Sequence, residues 1–248
     1  MSKRNGICTL VPAAGRGSRL GGDCPKVFTP ITENKTIWDI LSTKLKSISN
    51  KNCLVLNSAV YDEYKTRLDP ELLISFQDDP IGMGDAIFQG YNHFKESEYL
   101  IVVWGDQVHV SKDTLNKVVS SLNGEGDQLI LPLVSQKNPY VEYIFKNDIL
   151  VNINQQREGD LTTPGGYSDM GVFGLSVKNL KSCWDEYNEN QISGKLTGEI
   201  NFLPFLSFLS SEKKWNVKKI FIEDVDESRG VNTQEDLEYF KKVYSREI

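Results

Sequence analysis

Leu10-Val11-Pro12-Ala13-Ala14-Gly15-Arg16-Gly17-Ser18-Arg19-Leu20-Gly21-Gly22-Asp23-Cys24-Pro25-Lys26 is the stretch on which the fold turns. It opens inside a short apolar run, residues 7–13, which ends at glycine and so predicts a buried strand. Gly15, Gly17, Gly21 and Gly22 follow among small residues, which lets backbone N–H groups come close to a bound group. A strand that opens into such a loop makes an anion-binding concavity suited to a triphosphate. Arg16, Arg19 and Lys26 bring positive charge to the same place. Two better-known phosphate loops are excluded by residue identity. A G-x-G-x-x-G run from Gly15 would need glycine where Leu20 stands, and a Walker A loop needs Gly-Lys-Ser/Thr, whereas Lys26 follows Pro25.

Outward from this loop, strand and helix patterns alternate. Thr36 is placed to cap a helix carrying Ile37, Ile40, Leu41, Leu45 and Ile48. Residues 52–57 read as a buried strand, 61–68 as a short helix and 72–76 as a strand. Met83, Ala86, Ile87, Tyr91 and Phe94 recur at helical spacing, with Gly90 on the same face. Such a glycine allows the helix to lie close to a sheet. Residues 99–104 form a central strand, apolar on both sides, and Ser111 caps a helix with Leu115, Val118, Val119 and Leu122 on one face. Residues 128–134 are strand again.

The remainder is less regular. It holds a hairpin of 141–145 with 149–153, a strand at 171–177, and helices at 179–190 and 199–209. A strand at 217–222 and a last helix capped by Thr233 complete it. The alternation implies a mostly parallel sheet with helices on both faces. Ligands in such sheets bind beyond the carboxyl ends of the strands near a topological switch point. The loops after Ala13, Phe76 and Trp104 should therefore converge on one cleft. A single domain over 1–248 is expected, with a nucleotide-binding half at about 1–135 and an acceptor-binding half at about 136–248.

Three more segments carry chemistry. Gln77 ends a strand ahead of Gly82-Met83-Gly84-Asp85; a side-chain amide both donates and accepts, as recognition of a base edge requires. Gly105-Asp106 follows the central strand, where a carboxylate suits Mg²⁺, which favours one or two carboxylates plus phosphate oxygens and water. Asp226 and Asn232 lie in the 224–233 segment that leads into the last helix. His109, alone in a loop, is given no role.

Ala14-Gly15-Arg16-Gly17-Ser18-Arg19 followed by Pro25-Lys26 resembles the A-G-x-G-S/T-R…P-K signature of the nucleotidyltransferases, or pyrophosphorylases. Two branches are most similar: N-acetylglucosamine-1-phosphate uridylyltransferase, and the methylerythritol-phosphate cytidylyltransferase, which shares the V-P-A-A-G opening and the C-P-K ending. The resemblance implies a Rossmann-like three-layer α/β/α sandwich with a mostly parallel mixed central sheet, of the nucleotide-diphospho-sugar transferase type. It makes Arg19 and Lys26 the catalytic cations on the attacked phosphate. Ala13, Ala14, Gly15, Arg16, Gly17, Ser18, Gln77, Gly82, Gly84 and Asp85 become the nucleotide site. Gln77 stands where uridylyltransferases read uracil, and Met83 replaces their threonine.

Asp106 and Asn232 become Mg²⁺ ligands, with Asp226 the alternative to Asn232. On the acceptor side, Gln155 occupies the glutamate position of a V-E-x-K/R segment, and Asp169 an asparagine position. Glu199 lies in a G-E-x-Y/F-like turn. The lost charge at Gln155 suggests an acceptor other than N-acetylglucosamine 1-phosphate.

The net charge of −6 weighs against a duplex nucleic-acid binder. No apolar run approaches the 18 or so residues that span a bilayer, and residues 1–6 lack the apolar stretch of a secretion signal. A cytoplasmic protein with free thiols at Cys8, Cys24, Cys53 and Cys183 is expected. Whether it forms a homo-oligomer is left open. The expected reaction transfers NMP from an NTP, UTP or CTP, to a phosphorylated small molecule such as a sugar 1-phosphate, releasing pyrophosphate. The alternatives are a cytidylyltransferase for a non-sugar phosphate, a sugar-nucleotide-dependent glycosyltransferase and a non-catalytic nucleotide-binding subunit. Glycosyltransferases usually carry Asp-x-Asp after the central strand, where this chain has Gly105-Asp106-Gln107.

Overall fold

Strand β1 (Ile7–Pro12) is buried at every position and forms parallel ladders on both sides, with β2 (Lys51–Leu56) and with β4 (Tyr99–Val103). Strand β3 (Leu73–Phe76) adds in parallel to β2. The chain order thus reverses between β1 and β4, which is the switch point that alternation implied. Beyond β4 the sheet becomes mixed. Strand β9 (Val172–Ser176) runs antiparallel to both β4 and β5 (Gln128–Ser135); β10 (Asn216–Phe221) is parallel to β5, and β8 (Tyr167–Asp169) pairs its far end. β6 (Val141–Lys146) and β7 (Ile149–Gln155) form a separate hairpin, turned by Asn147 and Asp148 at positive φ. This computed structural model describes residues 3–15, 25–123, 125–190 and 193–245. Arg16, Gly17, Ser18, Arg19 and Cys24 lie outside the described residues.

Side-chain alternation along the central strands feeds two cores, one on each face of the sheet. Cys8, Leu10, Leu100, Val102, Phe173 and Leu175 face one side. They pack there against α3 (Met83–Gln89), α4 (Tyr91–Phe94), α6 (Leu180–Asn190), α7 (Phe202–Ser211) and the β6–β7 hairpin. Ile7, Val11, Ile101 and Val103 face the other, under α1 (Ile37–Leu45) and α5 (Lys112–Ser121). The helix α8 (Gln234–Tyr244) closes a third, smaller cluster through Leu237 and Phe240. Layered burial of this kind is the three-layer arrangement expected. Thr36, Ser111 and Thr233 cap their helices through their side chains, Thr36 and Thr233 in full capping boxes. Between β2 and β3 lies the short α2 (Ser58–Tyr64).

Some details depart from the sequence expectations. The helix expected over 83–94 is two helices, because the Gly90 N–H bonds back to the Ile87 carbonyl at 3.1 Å and tightens the turn there. A Cβ at Gly90 would overlap Leu10 of β1, so the close helix–sheet approach is present. α7 starts three residues later than expected, because residues 194–201 form a hydrogen-bonded loop. β8, three residues long, had no periodic signal to find. Cys8, Cys53 and Cys183 are buried free thiols. Among the described residues no helix is long and apolar enough to cross a membrane.

Candidate functional site

The carboxyl ends of β1, β3 and β4 open into one cleft of about 390 Å³. Its walls include Ala13, Ala14 and Gly15 after β1, Gln77 and Gly82 after β3, and Trp104, Gly105 and Asp106 after β4. The three loops expected to converge do so. The β1 end is fixed by the Ala13 N–H donating to the Val55 carbonyl at 2.9 Å. Gly105 lies against it closely enough that a Cβ there would sit 3.5 Å from that of Ala13.

Lys26 enters this cleft from a short 3₁₀ turn, Lys26–Phe28, anchored by buried Val27 and Phe28; Phe28 stacks on Tyr64 with centroids 4.2 Å apart. Its ammonium donates to Asp106 Oδ2 at 3.1 Å and to Asn232 Oδ1 at 2.8 Å. Residues 80 and 206 positions away in sequence thus share one cation. The Asn232 strand of this knot is held by the Val231 N–H on the Asp106 carbonyl at 3.0 Å and by the Asn232 N–H on Asp236 Oδ2 at 3.0 Å. Asp236 also takes Arg229 Nε at 2.8 Å. Asp226, in contrast, is exposed and accepts the Tyr239 hydroxyl at 2.9 Å. Asn232, not Asp226, is the residue that faces Asp106.

Gln77 is buried, and both of its amide hydrogens are engaged: Nε2 donates to the Gly82 carbonyl at 3.0 Å and to Asp85 Oδ2 at 2.7 Å. Two acceptors around one nitrogen fix the amide orientation, since a flipped amide would set oxygen against both. Among the described residues no hydrogen bond reaches Gln77 Oε1, and Gln77 lines the cleft. The carbonyl oxygen is thus what Gln77 offers a ligand, which narrows the dual donor and acceptor role read from the sequence. Asp85 is engaged in holding Gln77, and Gly84 lies off the cleft wall. Gly84 instead passes so close to Trp184 that a Cβ would overlap its ring, and its N–H donates to the Ile200 carbonyl at 2.9 Å. Gly82 has φ +146 and lies against the Ile200 backbone. The two glycines serve a backbone crossing between halves of the chain.

Arg157 and Glu199 form the far wall and are paired with each other; Arg157 Nη2 also donates to Asn201 Oδ1 at 3.0 Å. Behind them sits Glu158, 5% exposed. Burial alone would raise its pKa. Hydrogen bonds from the Thr197 hydroxyl, the Leu196 N–H, the Asn201 amide and the Thr197 N–H outweigh that and bring it to about 2. Gln155 is not on the wall. It lies two residues beyond core Ile153 on β7, so strand parity buries its side chain. Asp169 is also off the wall, with Oδ1 accepting the Gly171 N–H at 2.6 Å. Burial pushes its pKa up to about 6, and the neighbouring Asp106 charge adds to the rise. Arg157 fills the K/R position of the V-E-x-K/R-like segment and Glu158 ends it, yet the sequence singles out neither as a site residue; a long-range contact with 194–201 is what gives them a role.

The oxygen pair of Asp106 and Asn232 fits Mg²⁺ by chemistry, because two hard oxygen donors already converge on a single cation, the Lys26 ammonium. Among the described residues no three His, Cys, Asp or Glu side chains gather as a complete protein cage. Mg²⁺ does not need one, since it keeps waters and takes substrate phosphate oxygens.

Residues 9–163 match the MobA-like NTP transferase domain. The chain belongs to that family. The matched span includes the glycine-rich stretch, Lys26, Gln77 and Asp106. Over 244 residues it is 23% identical to the bifunctional protein GlmU of Buchnera aphidicola subsp. Schizaphis graminum, covering 97% of this chain. The chain spans about half the length, 51%, of that curated relative. A 4-diphosphocytidyl-2C-methyl-D-erythritol synthase from Anaerococcus prevotii superposes with a TM-score of 0.66 at 15% identity, covering 98% of this chain and 97% of that one. A Bacillus anthracis protein described as a glucose-1-phosphate thymidylyltransferase reaches 0.72 at 15% identity, covering 98% and 96%. These two likenesses establish the shared fold.

Proposed function

We propose that this chain transfers NMP from an NTP to a phosphorylated small molecule, a sugar 1-phosphate in the first instance, and releases pyrophosphate. The observation that carries the proposal is the Lys26 ammonium held between Asp106 and Asn232 in a cleft walled by Ala13, Ala14 and Gly15 after β1. Phosphoryl-type transfer asks mainly for positioning and charge neutralisation. Lys26 supplies fixed positive charge beside the triphosphate. An acceptor phosphate oxygen attacks the α-phosphorus, the bond to the β-phosphate oxygen breaks, and pyrophosphate leaves. No protein base is required, because the acceptor phosphate is already ionised. Bound Mg²⁺, with Asp106 and Asn232 as its protein ligands, would supply further charge neutralisation at the phosphate oxygens.

Gln77 Oε1 favours a base with an N–H at the facing edge. Uracil presents N3–H there, whereas cytosine presents a lone pair at N3 and can meet the oxygen only through its N4 amino group, so UTP is the first choice and CTP the second. The relation to GlmU and the fold shared with the thymidylyltransferase-like protein support a sugar 1-phosphate as acceptor.

Pyrophosphate release measured over a grid of four NTPs and a panel of sugar phosphates tests this. Release that depends on both substrates, strongest with UTP, is expected. NTP binding without turnover across the panel would point to a non-catalytic subunit, and sugar transfer from a UDP-sugar to a glycosyltransferase; either result rejects the proposal.

A further inference from the structure

Residues 199 and 200 are neighbours in sequence and serve opposite sides of the cleft. Glu199 lines the wall and pairs with Arg157, on the side given above to the acceptor. Ile200 is stitched to the nucleotide-side loop: its N–H donates to the Ile81 carbonyl at 2.8 Å, and its carbonyl accepts the Gly84 N–H at 2.9 Å. From there the chain of contacts continues through Gly82, whose carbonyl holds the Gln77 amide. The first part of the loop carrying both residues has little apolar packing, Leu196 being 71% exposed, while Ile200 packs on the core. One buried carboxylate gathers residues 196, 197 and 201 of it. Glu158 Oε2 accepts the Leu196 N–H at 3.0 Å and the Thr197 N–H at 3.4 Å, and Oε1 accepts the Thr197 hydroxyl at 2.6 Å and Asn201 Nδ2 at 3.1 Å. Gly194 leaves the room this requires, since a Cβ there would lie 2.6 Å from Glu158 Oε1.

We infer that Glu158 is a positioning residue that holds the nucleotide and acceptor sides of the cleft in one register through residues 194–201. It touches neither substrate. Four donors from residues 196–201 converge on its two oxygens, with Arg157 Nε beside them at 3.5 Å, so the loop has one preferred seat, and that seat sets Glu199 and Ile200 together. Binding on one side then favours the geometry needed on the other, which is a coupling free energy between two sites. This rests on the proposed assignment of the two sides, and the test is chosen to stand apart from it.

Amide hydrogen exchange is measured in the wild type, in Glu158→Gln, which presents an NH₂ to groups that are themselves donors, and in Thr197→Val, which removes one donor to Glu158 and the acceptor of the Glu199 N–H. UTP affinity is measured on the same three proteins. The expected result is roughly tenfold faster exchange at the Gly84 and Ile200 amides in Glu158→Gln, with Leu100 and Val102 in β4 unchanged. UTP affinity should fall by about tenfold, and Thr197→Val should show the same pattern more weakly. Faster exchange at Leu196 and Thr197 without change at Gly84 and Ile200 would overturn the inference, because the loop would then detach without moving the nucleotide side. Equal acceleration at every amide would overturn it too, as loss of general stability. If Glu158→Gln does not fold, Thr197→Val decides by the same pattern. A wild type that fails to bind UTP would count against the proposed function, while the exchange pattern would still decide this inference.

Discussion

At Gln77 a single amide nitrogen is claimed by the Gly82 carbonyl and the Asp85 carboxylate, and this leaves its oxygen for the base that the proposed reaction requires. Gln77→Glu would put three acceptors where one donor now bridges two. A stability loss of about 1–3 kcal/mol is expected from the unmade hydrogen bonds, with a rise in KM for UTP of roughly ten- to a hundredfold; an unchanged KM for UTP would remove Gln77 from base recognition. Asp169 gives a pH test with a definite sign. Its pKa of about 6 in the folded chain lies above the ordinary aspartate value, so the folded state binds the proton more tightly. Stability contributed by that proton is present at low pH and is lost as pH rises from about 4 to about 6. Asp169→Asn should therefore gain stability relative to wild type across that window and level off above it, by about 1–3 kcal/mol, nearer the lower figure because the residue is only partly buried. Thermal melting from pH 4 to pH 8 measures this, and a difference that does not vary with pH would refute it. At this scale Lys26 and Asp106 were legible, because Asp106 sits where a buried run ends and Lys26 closes the small-residue loop that follows β1. Gln155 was not, because its side chain follows the pairing parity of β7, and the register shift at Ile144/Phe145 on the partner strand is invisible in sequence.

Among the elements, the turn from β3 into α3 is the most constrained. Gly82 adopts a φ that side-chain-bearing residues rarely take, and Gly84 packs on the Trp184 ring. Gly84→Ala is expected to cost about 1–3 kcal/mol by overpacking and to weaken NTP binding by displacing the loop from Ile200. Calorimetric melting together with UTP titration checks both effects; a variant that keeps wild-type melting and affinity would show that the crossing has slack. The helices with capping residues, α1, α5 and α8, were read correctly from Thr36, Ser111 and Thr233, because a cap is a local event. The split at Gly90 was not, since a local turn from its N–H to the Ile87 carbonyl leaves the helical spacing intact, and the 194–201 loop was not, since it is set by partners distant in sequence, Glu158 and Ile81.

Over the whole molecule, two apolar cores grip the sheet from opposite faces and leave its carboxyl edge open at the β1–β4 reversal. Sheet type and cleft position were legible because alternating strands and helices admit few arrangements. The knot that joins Lys26, Asp106 and Asn232 was only half legible. Asp106 and Asn232 were paired as Mg²⁺ ligands by resemblance and Lys26 was assigned apart from them, to the attacked phosphate; only the fold shows that one ammonium holds both oxygens. In a chain of net charge −6, the cation fixed beside Asp106 is where the proposed reaction would place its anionic substrate. The most direct measurement is pyrophosphate release by wild type and Lys26→Ala, with NTP, sugar phosphate and Mg²⁺ present and the melting temperature recorded alongside. A loss of about 10²–10³-fold with melting preserved is the expected result; release at the wild-type rate by Lys26→Ala would contradict the account at its centre.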